Sequence, residues 1–222
     1  MRRFMAEAGA DAPGVRRPNR KAAERFRDRL CDALNWIDRR APDLAAEFQA
    51  TIEEIVLAAP DWLSRHRCEG WVSDQLPGVL VLNAEGEGTR AGLVLTLARE
   101  QARAVLLGEC GGGRLIEAPE TERVSRPGRK AKRPLEAVIH AGFAACRALW
   151  VLDHMEDDPG FGLAEQIEMA TARAEAMQVL TGCLATVRAQ GQLTPKGARL
   201  VSQLETALAD WQAAERQYMA VS

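Results

Sequence analysis

Apolar residues along this 222-residue chain recur mostly at steps of three and four, the spacing that lines one face of an α-helix. The longest such run is residues 133–155, RPLEAVIHAGFAACRALWVLDHM. There Leu135, Val138, Ile139, Phe143, Cys146, Leu149 and Trp150 make one stripe, and Pro134 suits a first turn. This predicts a core helix on which the rest packs. Residues 21–40 carry Ala22, Phe26, Leu30, Leu34 and Ile37 at helical spacing and stop at Ala41, because the residue before a proline is pushed out of the helical region. Residues 43–59 place Leu44, Phe48, Ile52, Ile55 and Val56 on a stripe closed by Pro60, which predicts a second helix antiparallel to the first. Toward the end, Leu163, Ile167, Ala170, Ala174, Met177, Leu180, Leu184 and Val187 form the seam of a long helix stopped by Gly191. Thr194 is a natural N-cap with Pro195 at the first helical position, and Leu200, Leu204, Leu208, Trp211 and Tyr218 supply the next stripe. The last third is therefore expected to be a helical hairpin clasping the helix of residues 133–155.

One stretch reads as β. Residues 78–82, GVLVL, are followed by the turn-rich NAEGEGTRAG and a second apolar run at 93–97, which predicts a hairpin; the pattern turns helical from Thr96 on. Residues 1–20 hold glycine, proline and arginine with no apolar period and read as a flexible tail. Residues 110–132 form the longest loop, with a basic end, and a loop of that length is either functional or disordered. The predicted fold is mainly α: a single-domain helical bundle over residues 21–222 with a small β-hairpin.

Charge narrows the function classes. With 29 basic and 31 acidic side chains the net charge is −2, which gives no electrostatic drive toward nucleic acid or an anionic membrane. Five scattered cysteines without a CxxC spacing fit reduced thiols in a cytoplasm and neither a disulfide framework nor a zinc knuckle. No uninterrupted apolar run reaches the roughly 18 residues of a membrane span, and charges interrupt the start of the chain where a signal peptide would be apolar. Arginine outnumbers lysine and alanine is abundant, as in GC-rich bacterial sequences.

The candidate chemistry sits on the central helix. Arg133, His140, Arg147 and His154 recur every seven residues, so they share one flank with a drift of about 20° per step, and Glu136 is one turn before His140. Such a row is either a solvated flank or the wall of a pocket for a metal or an anionic ligand. The cluster Arg65-His66-Arg67-Cys68-Glu69 lacks the further partners that zinc requires. GEGT lacks the pattern of a phosphate loop, and the acids at 156–158 lack the alternating ligands of a calcium loop. Residues 99–103, Arg99-Glu100-Gln101-Ala102-Arg103, read on their own as a solvated helix face with an i,i+3 ion pair.

The segment order, with RPLEAVIH and the closing LTPKG, resembles a bacterial family of HExxH peptide-modifying proteins over about residues 76–210. Some members are described as peptide hydroxylases dependent on iron and 2-oxoglutarate. In that family an apolar segment leads into HExxH on a helix, and a downstream RPL segment carries another histidine. Two histidines at i and i+4 can chelate one ion, and a third ligand leaves open positions for a cosubstrate. The matching segment here, after GLVLTLA, has arginine at both histidine positions. A guanidinium stays protonated and has no lone pair to give, so Arg99 and Arg103 cannot hold iron or zinc. The resemblance carries over Glu100 and His140 as the catalytic positions, with no metal. It suggests a salt-bridged cluster of Arg99, Glu100, Arg103 and Glu136, with Arg133 and Arg147 as further groups for an anionic substrate.

Three functions follow as expectations. The first is a degenerate relative that binds a peptide, or assists an enzyme, during maturation of a ribosomally synthesised peptide. The second is an active oxygenase using iron and 2-oxoglutarate, its ligands drawn from His140, His154, His66, Asp153 and Glu136. The third is a helical interaction module without a site.

Overall fold

The computed structural model describes residues 15–60, 69–73, 75–110, 114–117, 123–124, 133–190 and 192–221. In chain order the elements are β1 (Val15–Arg16), α1 (Arg20–Arg40), α2 (Pro42–Thr51), β2 (Glu54–Pro60), β3 (Gly70–Ser73), β4 (Leu76–Asn83) and α3 (Arg90–Cys110). They continue as β5 (Arg123–Val124), β6 (Arg133–Pro134), α4 (Leu135–Glu156), α5 (Leu163–Gln190) and α6 (Pro195–Val221). The protein is mainly α with a small β part. Contacts divide it into two compact units, residues 1–109 with 151–169, and residues 110–150 with 170–222.

In the first unit α1 begins at Asn19, whose side chain accepts the Lys21 N–H (2.9 Å), and it buries Phe26, Leu30, Ala33, Trp36 and Ile37 along one face. Pro42 ends it and starts α2. The expected second helix stops at Thr51. From Glu54 the chain is instead β2, an inner strand of a four-stranded sheet in the order β1-β2-β4-β3. β2 runs parallel to β4 (Glu54↔Val79 through Ala58↔Asn83) and antiparallel to β1. Ile52, Ile55 and Val56 can satisfy either period, and β-branched side chains beside a two-sided ladder favour the strand. Gly78 adopts φ +78°, a conformation that glycine takes without strain, and its carbonyl accepts the Glu53 N–H (2.7 Å) where α2 gives way to β2.

The predicted hairpin partner at 93–97 is not a strand but the first half of α3. Leu93, Val94, Leu95, Leu97 and Ala98 are all buried, so this helix is apolar all round and shows no stripe in the sequence. The antiparallel partner of β4 is β3. Of the expected tail, residues 15–20 are structured: Arg16 bonds both oxygens of Glu85 (3.0 and 2.5 Å), and the Asn19 N–H adds a third bond to it (2.9 Å). Residues 1–14 lie outside the described residues.

The second unit is built from α4 up to Trp150, α5 from Ala170 on, and α6. Leu135, Ile139, Leu149, Leu180, Leu184 and Leu204 are buried in it. A Cβ added at Gly142 would lie 3.2 Å from the Cβ of Cys183, so α4 and α5 meet closely there, and Arg188 ties α5 to α6 through Glu205 (2.6 Å). The two motifs RPLEAVIH and LTPKG converge on the segment 114–117. Glu136 accepts the Leu115 N–H (2.9 Å), the Thr194 N–H donates to the Leu115 carbonyl (3.0 Å), and Thr194 Oγ1 donates to the Arg114 carbonyl (3.0 Å). Ile116 bridges Leu193 in antiparallel fashion, and Gly197 lies so close that a Cβ there would overlap the Leu115 carbonyl.

Averaged over an 18-residue window, α4 is apolar enough to cross a bilayer (mean hydropathy 1.5), although 56% of that window is buried within the protein, as in a core helix.

Candidate functional site

α3 carries Thr96, Glu100 and Arg103 at i, i+4 and i+7, so they share one flank, and that flank meets β3. The Asn83 N–H donates to the Glu69 carbonyl (2.9 Å), which sets the alternation of the β3–β4 ladder and turns the Val72 N–H toward the outer edge of the sheet. There it acts on the Glu100 carboxylate. Gly70 makes this approach feasible, since a Cβ at that position would lie 2.9 Å from Leu82 Cδ2 and 3.3 Å from Glu100 Cγ. Thr96 Oγ1 donates to Glu69 Oε2 (2.9 Å) one turn further back.

Glu100 is 5% exposed. Its Oε1 accepts Arg103 Nη1 at 2.6 Å, while Oε2 is buried without a hydrogen-bond partner. Burial pushes the Glu100 carboxyl above the ordinary range, and the Arg103 and Arg99 guanidiniums and the Val72 N–H pull in the other direction. The i,i+3 pair foreseen for this helix is present, but the face is not solvated on its Glu100 side. Gln101 is fully buried as well. Its Nε2 donates to Glu47 Oε2 (3.0 Å) and its Oε1 is unpartnered. Arg103 keeps 42% of its side chain exposed, so part of its guanidinium fork faces water.

Of the remaining expected residues, Arg99 is half-buried on α3, one turn before Arg103. His140, Arg147 and His154 are half-buried on α4, with His140 and Arg147 in the second unit and His154 in the first. Arg147 lies over the rings of Phe143 (5.6 Å) and Trp150 (5.7 Å), which engages its charge within its own helix. Arg133 is in β6, and its side chain lies outside the described residues. Glu136, expected in the cluster, serves as the acceptor for Leu115. His140 and His154 stand 14 residues apart on one helix, about 21 Å at 1.5 Å per residue, too far to share an ion. His66 lies outside the described residues. Burial pushes the Cys146 thiol up to about 11, so it is not a thiolate nucleophile at neutral pH.

The glycine-rich start of α3 has an internal anion. Glu165 Oε1 accepts the Ala91 N–H (3.2 Å), and Glu168 accepts the hydroxyl of Thr89, the residue that caps the Gly92 N–H (3.0 Å).

Iron with 2-oxoglutarate does not fit these residues. The positions that would supply histidines are guanidinium groups, one of them bonded to the intervening glutamate, and no group of three or more His, Cys, Asp or Glu converges among the described residues. Sequence reading missed Glu69 and Gly70 as neighbours of Glu100, because only the tertiary packing of β3 on α3 brings them there, and it missed Thr96 although that residue lies one turn before Glu100 on α3. Compared with models of known protein families and with curated proteins, the chain matches none.

Proposed function

We propose that the protein is a degenerate relative of the HExxH peptide-modifying proteins that binds a peptide, or assists an enzyme, in maturation of a ribosomally synthesised peptide. Its partner in this reading is a precursor peptide and its compartment the cytoplasm. The observation that carries the proposal is the Glu100–Arg103 pair (2.6 Å). Where the related proteins place a metal-ligating histidine, this chain has a guanidinium bonded to the neighbouring carboxylate. The exposed part of Arg103 suits an acidic group of a peptide, held by charge-assisted hydrogen bonds. Glu100 then acts by orienting Arg103.

The test has two parts. Purified protein is analysed for bound iron and zinc, and a displayed peptide library is panned against wild type and against Arg103→Gln. Enrichment of acidic peptides that bind the variant at least about tenfold more weakly supports the proposal, a loss of the size expected for a charged hydrogen bond. Stoichiometric metal overturns it, as does a peptide that gains an oxygen atom only when iron and 2-oxoglutarate are added.

A further inference from the structure

The two oxygens of the Glu100 carboxylate differ in what they can do. Oε1 accepts Arg103 Nη1 at 2.6 Å, whereas Oε2 is buried and has no hydrogen-bond partner among the described residues. Negative charge on an unpartnered buried oxygen is costly, and a proton there removes the cost, so Oε2 is the oxygen that takes a proton up. Protonation at Oε2 leaves Oε1 in place as the acceptor for Arg103. The guanidinium then keeps its aim but loses the negative charge that neutralised it.

Charges around the carboxyl keep both forms within reach. On α3 it faces the Arg103 and Arg99 guanidiniums, which favour ionisation, and from β3 the Val72 N–H acts on it most weakly. The Glu69 carboxylate, just before β3, lies one turn back on Thr96 Oγ1 (2.9 Å), and β4, the next strand in, carries no titratable side chain. Burial is the largest influence and pushes the carboxyl above the ordinary range. Arg103 is the member of the pair that reaches water, with 42% of its side chain exposed against 7% for Glu100.

Resting on the reading that Arg103 holds an acidic group of a peptide, we propose that a proton taken from water onto Glu100 Oε2 strengthens that hold, so that the peptide binds in mild acid and is released as the pH rises. In the ionised site Glu100 and the incoming anion compete for one guanidinium and repel each other. In the neutral site the peptide meets an uncompensated cation, already oriented by Oε1. The coupling is reciprocal: whatever factor the proton adds to peptide affinity, the peptide adds to proton affinity.

The probe is the tightest acidic peptide recovered by panning, labelled and resynthesised with cysteic acid at its carboxylic positions, because a sulfonate stays anionic throughout the titration. Its binding is followed by fluorescence anisotropy from about pH 5 to about pH 9. Wild type is expected to lose about tenfold in affinity as the pH rises, the equivalent of one pKa unit. Glu100→Gln, which keeps a neutral acceptor for Arg103, should hold the affinity that wild type has in acid and lose most of the pH dependence, and Arg103→Gln should bind weakly throughout. A second readout uses wild type: the carboxyl 13C resonance of Glu100, identified by its loss in Glu100→Gln or Glu100→Asp, should titrate about one pH unit higher with the peptide at saturation. Parallel wild-type and Glu100→Gln profiles, tighter binding in alkali, or a Glu100 titration that the peptide leaves unmoved overturns the proposal while leaving peptide binding at Arg103 intact. Failure of panning to yield any acidic peptide instead refutes the reading on which the proposal rests, and the proposal with it.

Discussion

Replacing Gly197 by alanine should destabilise the second unit strongly, although helix propensity alone argues the opposite. Gly197 is the third residue of α6, where alanine is favoured over glycine by about 1 kcal/mol. Its added Cβ would overlap the Leu115 carbonyl oxygen and lie 2.9 Å from the carbonyl carbon, and backbone cannot swing aside as a side chain can. Leu115 is fully buried and held at both ends, its N–H by Glu136 (2.9 Å) and its carbonyl by the Thr194 N–H (3.0 Å). Relieving the clash means overpacking or breaking these bonds. Overpacking costs about 1–3 kcal/mol, a neutral hydrogen bond about 1, and one to a carboxylate about 1.5–3; if all are incurred and the propensity gain is subtracted, the net loss should be about 2.5–6 kcal/mol. Gly108→Ala is the matched control. It lies in α3 with nothing within 4 Å of its added Cβ, and it should stabilise by about 0.5–1 kcal/mol. Urea unfolding followed by circular dichroism gives both values, and hydrogen exchange at residues 114–117 locates the first. If the two substitutions shift stability in the same direction, the clamp on Leu115 is not what the geometry implies.

Glu100 is easier to protonate in the folded protein than in the unfolded chain, so its contribution is complete below the ordinary carboxylate range and is lost as pH rises through its raised pKa. Glu100→Gln should flatten that decline when urea midpoints are compared from about pH 4 to about pH 9; parallel profiles would count against it. Glu85 is the reverse case. The Arg16 and Asn19 hydrogen bonds hold its carboxyl below the ordinary range, so its contribution is present above that range and disappears on acidification through the lowered value. Glu85→Gln should therefore be less stable than wild type at neutral pH and equal to it in acid, as read by acid titration of ellipticity. Trp36 is 2% exposed and donates its indole N–H to Asp158 (2.7 Å), so Trp36→Phe should cost about 2–3 kcal/mol in thermal unfolding, and a cost under about 1 would mean the bond is dispensable.

Helices whose apolar stripe faces one core were legible from spacing alone. The run at 133–155 is α4, which buries one side and leaves the other partly wet; the seam expected from Leu163 to Val187 is a helix, α5, but only its end is buried, since Leu163 (73%) and Ile167 (61%) are exposed and the buried line runs through Met169, Ala172, Ala176 and Leu180 instead. The pattern failed where burial was not one-sided. The first half of α3 is apolar all round and imitates a strand, while the β-branched residues of β2 happened to keep helical spacing. The candidate site was legible in part. The pairing of Glu100 with Arg103 is local and follows from i,i+3 geometry, but the burial of that carboxylate under β3 depends on residues about 30 positions earlier, which no spacing rule reaches. Glu136 and Gly197 stood out as parts of motifs for the same hidden reason, their shared hold on Leu115.

The interleaving of the two units bears on how the chain can be made and cut. The cap of α3 comes from Glu165 and Glu168, and the partners of Trp36 come from Asp158 and Phe161, so a nascent chain released at residue 109 would hold the first unit without its residues 151–169 and with its helix start bare. Ribosomal synthesis must deliver the whole of residues 110–150 before the first unit can close, and no single contiguous fragment reproduces that unit by itself.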